Sequence, residues 1–453
     1  MLLERELWFF LICALTIGGL IWGLVNTRRL IEAPFLYAVG MAIIICPQYY
    51  VATYHYWRVP DEAFRIFSIM VVLCTIALYW GYARGARWIQ RQSYLPQHRW
   101  IINDFHIFYL GLFIALAGTF GAIQVRLLGE IREWRGWPVY WISLAGLILP
   151  GISLILISYF QSRKLYRLIW ALTFSIFPLL AITEYGRRSA TLVLPFVYLL
   201  PLLIYKPRFR LPRWIVILAL AASFVVVYAF PYWRGEFKEG RYLAVIGEKP
   251  LTEIVADMFQ GKDSKVLEVI DGMIVTGAYY VTNRYGLGIN VVYNSLIQNY
   301  IPGGLIGREF KNSLFIGQGI SQDWVSSVYG IQVAPYTAKT AFMELFGEFS
   351  FFGCILCFYV GYFFRRIHDA AVFYFDGRAI IFLSFFITLP ASLPYAGLLA
   401  GLVLKLPVIA IMIWSFNWCL HKQSLWLEYC SFAYAHNIDN HTAHLEEKLE
   451  NKE

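Results

Sequence analysis

Charged side chains are scarce in this chain. Asp, Glu, Lys and Arg make up 15% of its 453 residues, against about 25% in soluble domains, which excludes an ordinary soluble globule. Familiar catalytic signatures are missing too: there is no P-loop, no GxSxG elbow and no HExxH. No histidine occurs between Arg234 and Lys339, so a zinc site is not expected in that long polar segment. The seven cysteines are Cys13, Cys46, Cys74, Cys354, Cys357, Cys419 and Cys430; most lie inside apolar runs and none in that segment. A disulfide framework is not expected, and the Cys354–Cys357 pair reads as helix packing.

Apolar sequence fills the space that charge leaves. Mean hydropathy is +0.57, and stretches of about 20 apolar residues recur, the length a helix needs to cross a bilayer. The chain reads as an all-α, polytopic integral membrane protein with about eleven transmembrane helices. Their centres fall near Thr16, Ala42, Leu73, Leu116, Leu149, Phe174, Tyr198, Ala222, Cys354, Ile387 and Ile411. The first segment lacks a basic leader and an obvious cleavage site, so it is expected to be a retained helix rather than a signal peptide. Net charge is +9. The basic residues sit in short clusters between apolar runs, a pattern of topology signals and lipid contacts rather than of nucleic-acid binding.

Those clusters orient the chain. One set of alternate connections holds Arg28, Arg29, Arg84, Arg87, Arg91, Arg99, Arg163, Lys164, Arg167, Lys206, Arg208, Arg210, Arg213, Arg365, Arg366 and Arg378. The opposite set holds Arg58, Arg65, Arg126, Arg132, Arg135, Arg187 and Arg188. The richer set is expected in the cytoplasm. The chain then divides into transmembrane helices over 1–233, a large extracytoplasmic loop over 234–340, further transmembrane helices over 341–421 and a cytoplasmic tail over 422–453.

The large loop carries ten basic and ten acidic residues between Arg234 and Lys339. Its segments LTEIVADMF and SKVLEVIDGMIVTGAYYV place apolar residues at helical spacing (Val266, Ile270, Met273, Ile274, Gly277, Val281). They read as amphipathic helices lying on the membrane or capping the bundle. GQGISQDWVSSVYGIQVAP reads as irregular loop, with aromatic residues suited to carbohydrate faces or to a membrane interface.

Two constellations could carry chemistry outside. One is a set of arginines: Arg187 and Arg188 in the turn TEYGRRSAT, Arg234 just after an expected helix end in YWRGEF, Arg241, Arg284 in TNRYGLG, and Arg308. Arginine offers a planar, permanently charged, bidentate donor to phosphate or diphosphate. An outward turn needs no arginine pair for orientation, which favours anion binding at 187–188; pairing with Glu184 is the plainer alternative. The other is AFMELFGEFSFFGCIL, where Glu344 and Glu348 stand at i and i+4 on one helix face. They serve either as charges favouring their own helix N-terminus or as a proton acceptor. Lys405 lies inside the last expected span, where it snorkels or meets an acidic partner.

Three segments resemble the bacterial oligosaccharide repeat-unit polymerases, the Wzy-type O-antigen and exopolysaccharide polymerases. YGRRSA resembles that family's outward Gly-Arg turn, YIPGGLIGREFKNS its Pro-containing segment before the late helix, and ELFGEFSFFGCIL its Glu-then-Phe-Gly helix entry. The resemblance implies a GT-C-like glycosyltransferase architecture in a bacterial inner membrane, with an extracytoplasmic active face. It implies transfer of a glycan from undecaprenyl diphosphate to a sugar hydroxyl of a second lipid-linked unit. The arginines would hold the diphosphate, Glu348 or else Glu344 would take the acceptor proton, and no cofactor or metal would be needed. Chain-length regulator and flippase proteins would be the implied partners. An O-antigen ligase shares the architecture and donor. A transporter or flippase for lipid-linked oligosaccharides would instead carry internal repeats and midplane polar residues; only Lys405 and a few prolines stand there.

Overall fold

A computed structural model describes residues 2–55, 59–91, 98–128, 137–185, 188–206, 209–238, 253, 256, 268–286, 290–301, 303–316, 322–331, 340–394 and 396–424. The fold is mostly helical. In chain order the first part contains α1 (Leu2–Val25), α2 (Ala33–Gly40), α3 (Cys46–Tyr54), α4 (Asp61–Arg91), β1 (His98–Ile102), α5 (Asp104–Leu127), α6 (Trp137–Ala145), α7 (Ile148–Ser162), α8 (Leu165–Tyr185), α9 (Arg188–Tyr205) and α10 (Arg213–Lys238). Then come α11 (Glu268–Thr282), α12 (Asn290–Tyr300), α13 (Gly303–Ile306), α14 (Arg308–Ser313), α15 (Gln322–Tyr329), α16 (Ala341–Phe349), α17 (Cys354–Phe373), α18 (Gly377–Phe386), α19 (Leu389–Ser392), α20 (Leu398–Leu404), α21 (Leu406–Cys419) and β2 (Leu420–Ser424).

Six helical stretches are long and apolar enough to cross a membrane: Leu2–Val25, Ala33–Tyr54, Asp61–Ala86, Asp104–Leu127, Tyr140–Ser162 and Ala341–Phe373. The chain is membrane-embedded on this ground, and its outer surface agrees. Leu7, Phe10, Ile17 and Ile21 on α1 and Phe113, Leu116 and Phe120 on α5 are exposed, a surface that suits lipid rather than water. The remaining expected span centres fall on shorter apolar helical stretches among the described residues, including Leu165–Leu180, Leu194–Tyr205 and Leu406–Cys419.

α4 and α17 form the central pair. A Cβ on Gly81 would lie 2.0 Å from the Phe358 carbonyl oxygen, and one on Gly361 2.1 Å from that of Leu78. These glycines let the two backbones touch, as small residues do between membrane helices. The pair runs parallel, since Gly81 meets Phe358 while Gly85 meets Tyr362 and Arg365; α16, which precedes α17, meets α4 at Phe67 through Phe342. It therefore has an Asp61 end and a Tyr82 end, and Phe67 and Tyr82 stand about 22 Å apart along the helix at 1.5 Å per residue.

Each end is stitched by side chains. At the Asp61 end, Arg5 donates to the Asp61 carboxylate at 2.7 Å and to the carbonyls of Ala52 and Val59 at 3.0 and 2.6 Å. At the other end, Arg213 donates to the Val25 carbonyl, and Arg378 lies over the Trp100 ring at 5.1 Å. Arg28, Arg213, Arg365 and Arg378, all from the richer basic set, thus share the Tyr82 end.

The helical content agrees with an all-α membrane protein; β1 and β2 add a short antiparallel ribbon, with His98 opposite Ser424 and Ile102 opposite Leu420. Three sequence expectations change. α11 does not lie on the membrane surface. Val269, Ile270, Met273, Ile274, Val275, Thr276 and Ala278 are all buried, so the helix is enclosed nearly all round, as a core helix is. Gln322–Tyr329 is a helix rather than irregular loop, with Val325 fully buried. Arg234 does not follow a helix end, because α10 continues to Lys238.

Candidate functional site

α16 is the element around which the site is built. Thr340 caps it, its side chain accepting from the Met343 amide at 3.3 Å. Every residue from Ala341 to Glu348 is buried, so the two glutamates are carried into the interior by an otherwise apolar helix. Glu344 is 3% and Glu348 4% exposed. Carboxylates this deep need strong donors.

The donors are backbone amides at the starts of two other helices. Leu399 donates to Glu344 Oε2 and Ala400 to Oε1, both at 2.8 Å, at the first turn of α20. Val291 donates to Glu348 Oε1 at 3.1 Å, at the first turn of α12. Each carboxylate thus meets unsatisfied amides and the positive end of a helix dipole. Of the two roles expected for these glutamates, that of charges at their own helix N-terminus gives way, since the amides they accept from belong to neighbouring helices. Glycine makes both approaches possible. A Cβ at Gly286 would stand 2.4 Å from Glu348 Oε2, and one at Gly397 2.9 Å from Glu344 Oε1. The Gly286 amide also donates to the Gly347 carbonyl at 2.8 Å, tying the segment after α11 to α16.

Glu344 and Glu348 line a cavity of about 490 Å³ together with Arg284, within the 300–1,000 Å³ typical of ligand pockets. One wall is a face of α12: Asn290, Asn294 and Gln298, at i, i+4 and i+8. Asn294 is committed, since its Nδ2 donates to the Ile316 carbonyl and its Oδ1 accepts from the Ile316 amide, both at 2.9 Å. Another part of the lining is aromatic. Tyr279 and Trp324 have ring centroids 5.2 Å apart, and the exposed Arg284 guanidinium lies 5.9 Å from the Trp324 ring. Amides, aromatic faces and carboxylates together make a surface that can hydrogen-bond and stack a polyhydroxylated ligand. Behind Trp324 on α15, burial and the nearby Glu62 carboxylate push the Tyr329 phenol up to about 12.

Three expected site residues therefore come together: Arg284, Glu344 and Glu348. Of the other expected arginines, no side chain is among the described residues. Arg187 and Arg241 lie outside the described residues. Arg188 begins α9, and α8 ends at Tyr185; the turn expected between them lies outside the described residues. The side chains of Arg188, Arg234 and Arg308 lie outside what is described; Arg308 opens α14 behind Gly307, whose φ is 87°. Lys405 is not inside a continuous helix. It marks the break between α20 and α21, with Nζ 5.7 Å from the Phe386 ring centroid.

The Asn290–Asn294–Gln298 face was not singled out from sequence, and Trp324 stood out only as one of the aromatic residues of its segment. The helical spacing of INVVYNSLIQNY was a usable signal; the partnership with α16 was not. No family model, curated protein or solved structure matches the chain.

Proposed function

We propose that the chain polymerises lipid-linked oligosaccharide repeat units. A glycan would pass from undecaprenyl diphosphate to a sugar hydroxyl of a second lipid-linked unit, at the outer face of a bacterial inner membrane crossed by about eleven helices. The observation that carries this reading is the cavity in which Arg284, Glu344 and Glu348 meet an amide-and-aromatic wall. It stands toward the Asp61 end of α4, away from the shared basic connections, where the charge bias of those connections puts the outside.

In this reading Glu348 takes the proton from the attacking hydroxyl while the glycosidic bond to the diphosphate breaks. Arg284 stabilises the diphosphate that leaves, with Arg187, Arg188, Arg234, Arg241 and Arg308 gripping the remainder of the lipid-linked donor. Both oxygens of Glu344 are engaged by backbone amides, which favours a positioning role for Glu344 in this reading. The test is a deletion strain complemented with variants and read on polysaccharide gels. Glu348→Gln is expected to leave single repeat units, and Arg284→Ala shorter chains. A full ladder from folded Glu348→Gln protein would remove the base role.

A second reading has one observation in its favour. α16 and α17 are interrupted at Ser350, whose φ is 53°, and α18 to α21 form a broken series. Transporters place their sites at such breaks. The deletion phenotype separates the readings: exported single repeat units fit a polymerase, unattached long chains a ligase, and lipid-linked units trapped inside a transporter.

A further inference from the structure

A larger cavity, of about 1070 Å³, opens at the Tyr82 end of the bundle. Its walls are largely apolar, with Leu15 and Gly18 from α1, Tyr79 and Ala83 from α4, Leu203 and Ile204 from α9, and Val372 from α17. Its polar end is built from Arg28, Arg29, Glu32, Arg365 and His368. The interior charges are tied together. Glu32 accepts from Trp22 Nε1 at 2.7 Å and lies 3.6 Å from Arg365; Arg365 also donates to Asp369 at 2.7 Å and to the Tyr82 hydroxyl at 3.1 Å.

Two groups at this end remain uncommitted. Arg28 is exposed and makes no ion pair among the described residues, while its neighbour Arg29 stacks on Trp22 at 4.2 Å. His368 is only 4% exposed. Its Nδ1 meets Asp369 Oδ1 at 3.1 Å, yet its Nε2 has no hydrogen-bond partner among the described residues. A buried ring nitrogen lining a cavity calls for a ligand atom.

We propose that this cavity binds one anionic phospholipid, with the phosphate at Arg28 and Arg29, a headgroup hydroxyl donating to His368 Nε2, and an acyl chain along α1, α4 and α9. The matching of a basic mouth to an apolar interior carries the argument. Arginine supplies fixed charge and bidentate donors to phosphate, and basic pockets between membrane helices are where anionic headgroups are held. The site lies at the opposite end of the α4–α17 pair from the carboxylate cavity, so it is separate from the function proposed above.

Gly18 supplies a clean test. A Cβ there meets nothing within 4 Å, so Gly18→Leu extends a side chain into the cavity without disturbing the helix packing. Purified protein in neutral detergent would be titrated with phosphatidylglycerol and with phosphatidylcholine, and bound lipid read by native mass spectrometry. Saturable binding of one phosphatidylglycerol, at least ~10-fold tighter than phosphatidylcholine, is expected. Gly18→Leu and Arg28→Ala should each weaken it ~10-fold, and millimolar inorganic phosphate should not displace it. Equal retention of both lipids, or unchanged binding by both variants at unchanged thermal stability, would overturn the proposal. Displacement by inorganic phosphate would overturn the lipid assignment. Displacement by undecaprenyl phosphate at equal concentration would keep the site and reassign the chain it holds.

Discussion

The two ends of the α4–α17 pair each bury two carboxylates, and they hold them by different means. Glu344 and Glu348 are 3% and 4% exposed, Asp369 and Glu32 3% and 7%, so depth does not separate them. Their partners do. The first pair receives backbone amides from the starts of α20 and α12. The second shares the Arg365 guanidinium, helped by Trp22 and His368. A guanidinium brings one full positive charge, here shared by two carboxylates, whereas an amide at a helix start brings only a partial one. The first pair is thus held by helix starts beside a cavity, and the second by a side chain that ties helices together.

The comparison can be broken first at the arginine. Arg365→Leu leaves Glu32 and Asp369 buried without their cation, a change that costs about 3–5 kcal/mol when one partner of a buried pair is removed. The expected outcome is a large fall in folded yield and melting temperature in detergent. Glu344→Gln should cost less, about 1.5–3 kcal/mol, because one oxygen still accepts an amide while the new NH₂ faces another donor. Thermal unfolding of the two variants side by side checks the order. If Glu344→Gln proved the more damaging, the distinction drawn between the two ends would fail.

Gly286→Ala is the next smaller change. Its Cβ would fall 2.4 Å from Glu348 Oε2, and relief of that overlap costs about 1–3 kcal/mol. The loss should show in melting temperature and be absent in Gly18→Leu. The smallest effect is at Tyr329. Its phenol is raised from about 10 to about 12, so the folded state keeps the proton after the unfolded chain has lost it. Stability tied to this group is present below pH ~10 and drains away as pH rises toward 12. Tyr329→Phe should flatten that alkaline decline, which a melting series from pH 9 to 12 would reveal.

Local pattern made much of this legible. The apolar runs around Thr16, Leu73, Leu116 and Leu149 gave helices where they were expected, because bilayer length and backbone satisfaction leave few alternatives. The i, i+4 spacing of Glu344 and Glu348 placed both on one side of α16. Tertiary placement was not legible. Val266 to Val281 has helical spacing, but only the packing of α11 against α4 decides that nearly every side is covered. Trp324, Val325, Val328 and Tyr329 have the i, i+1, i+4, i+5 pattern of a helix, masked by the glycines and serines around them. Arg365 was counted as a topology signal, and nothing in sequence ties it to Glu32, far away in the chain. The β1–β2 pairing joins HRWII to LHKQS, two five-residue strands too short and too polar to stand out before the bundle brings them together.

The central claim is that the amide-held carboxylates, and Glu348 above all, do the chemistry. Purified protein in proteoliposomes, supplied with lipid-linked repeat units, tests it most directly through the initial rate of chain extension. The account predicts that Glu348→Gln, melting at the wild-type temperature or close to it, extends chains at least ~100-fold more slowly, as loss of a general base requires. A folded Glu348→Gln protein that extends chains at the wild-type rate would contradict it.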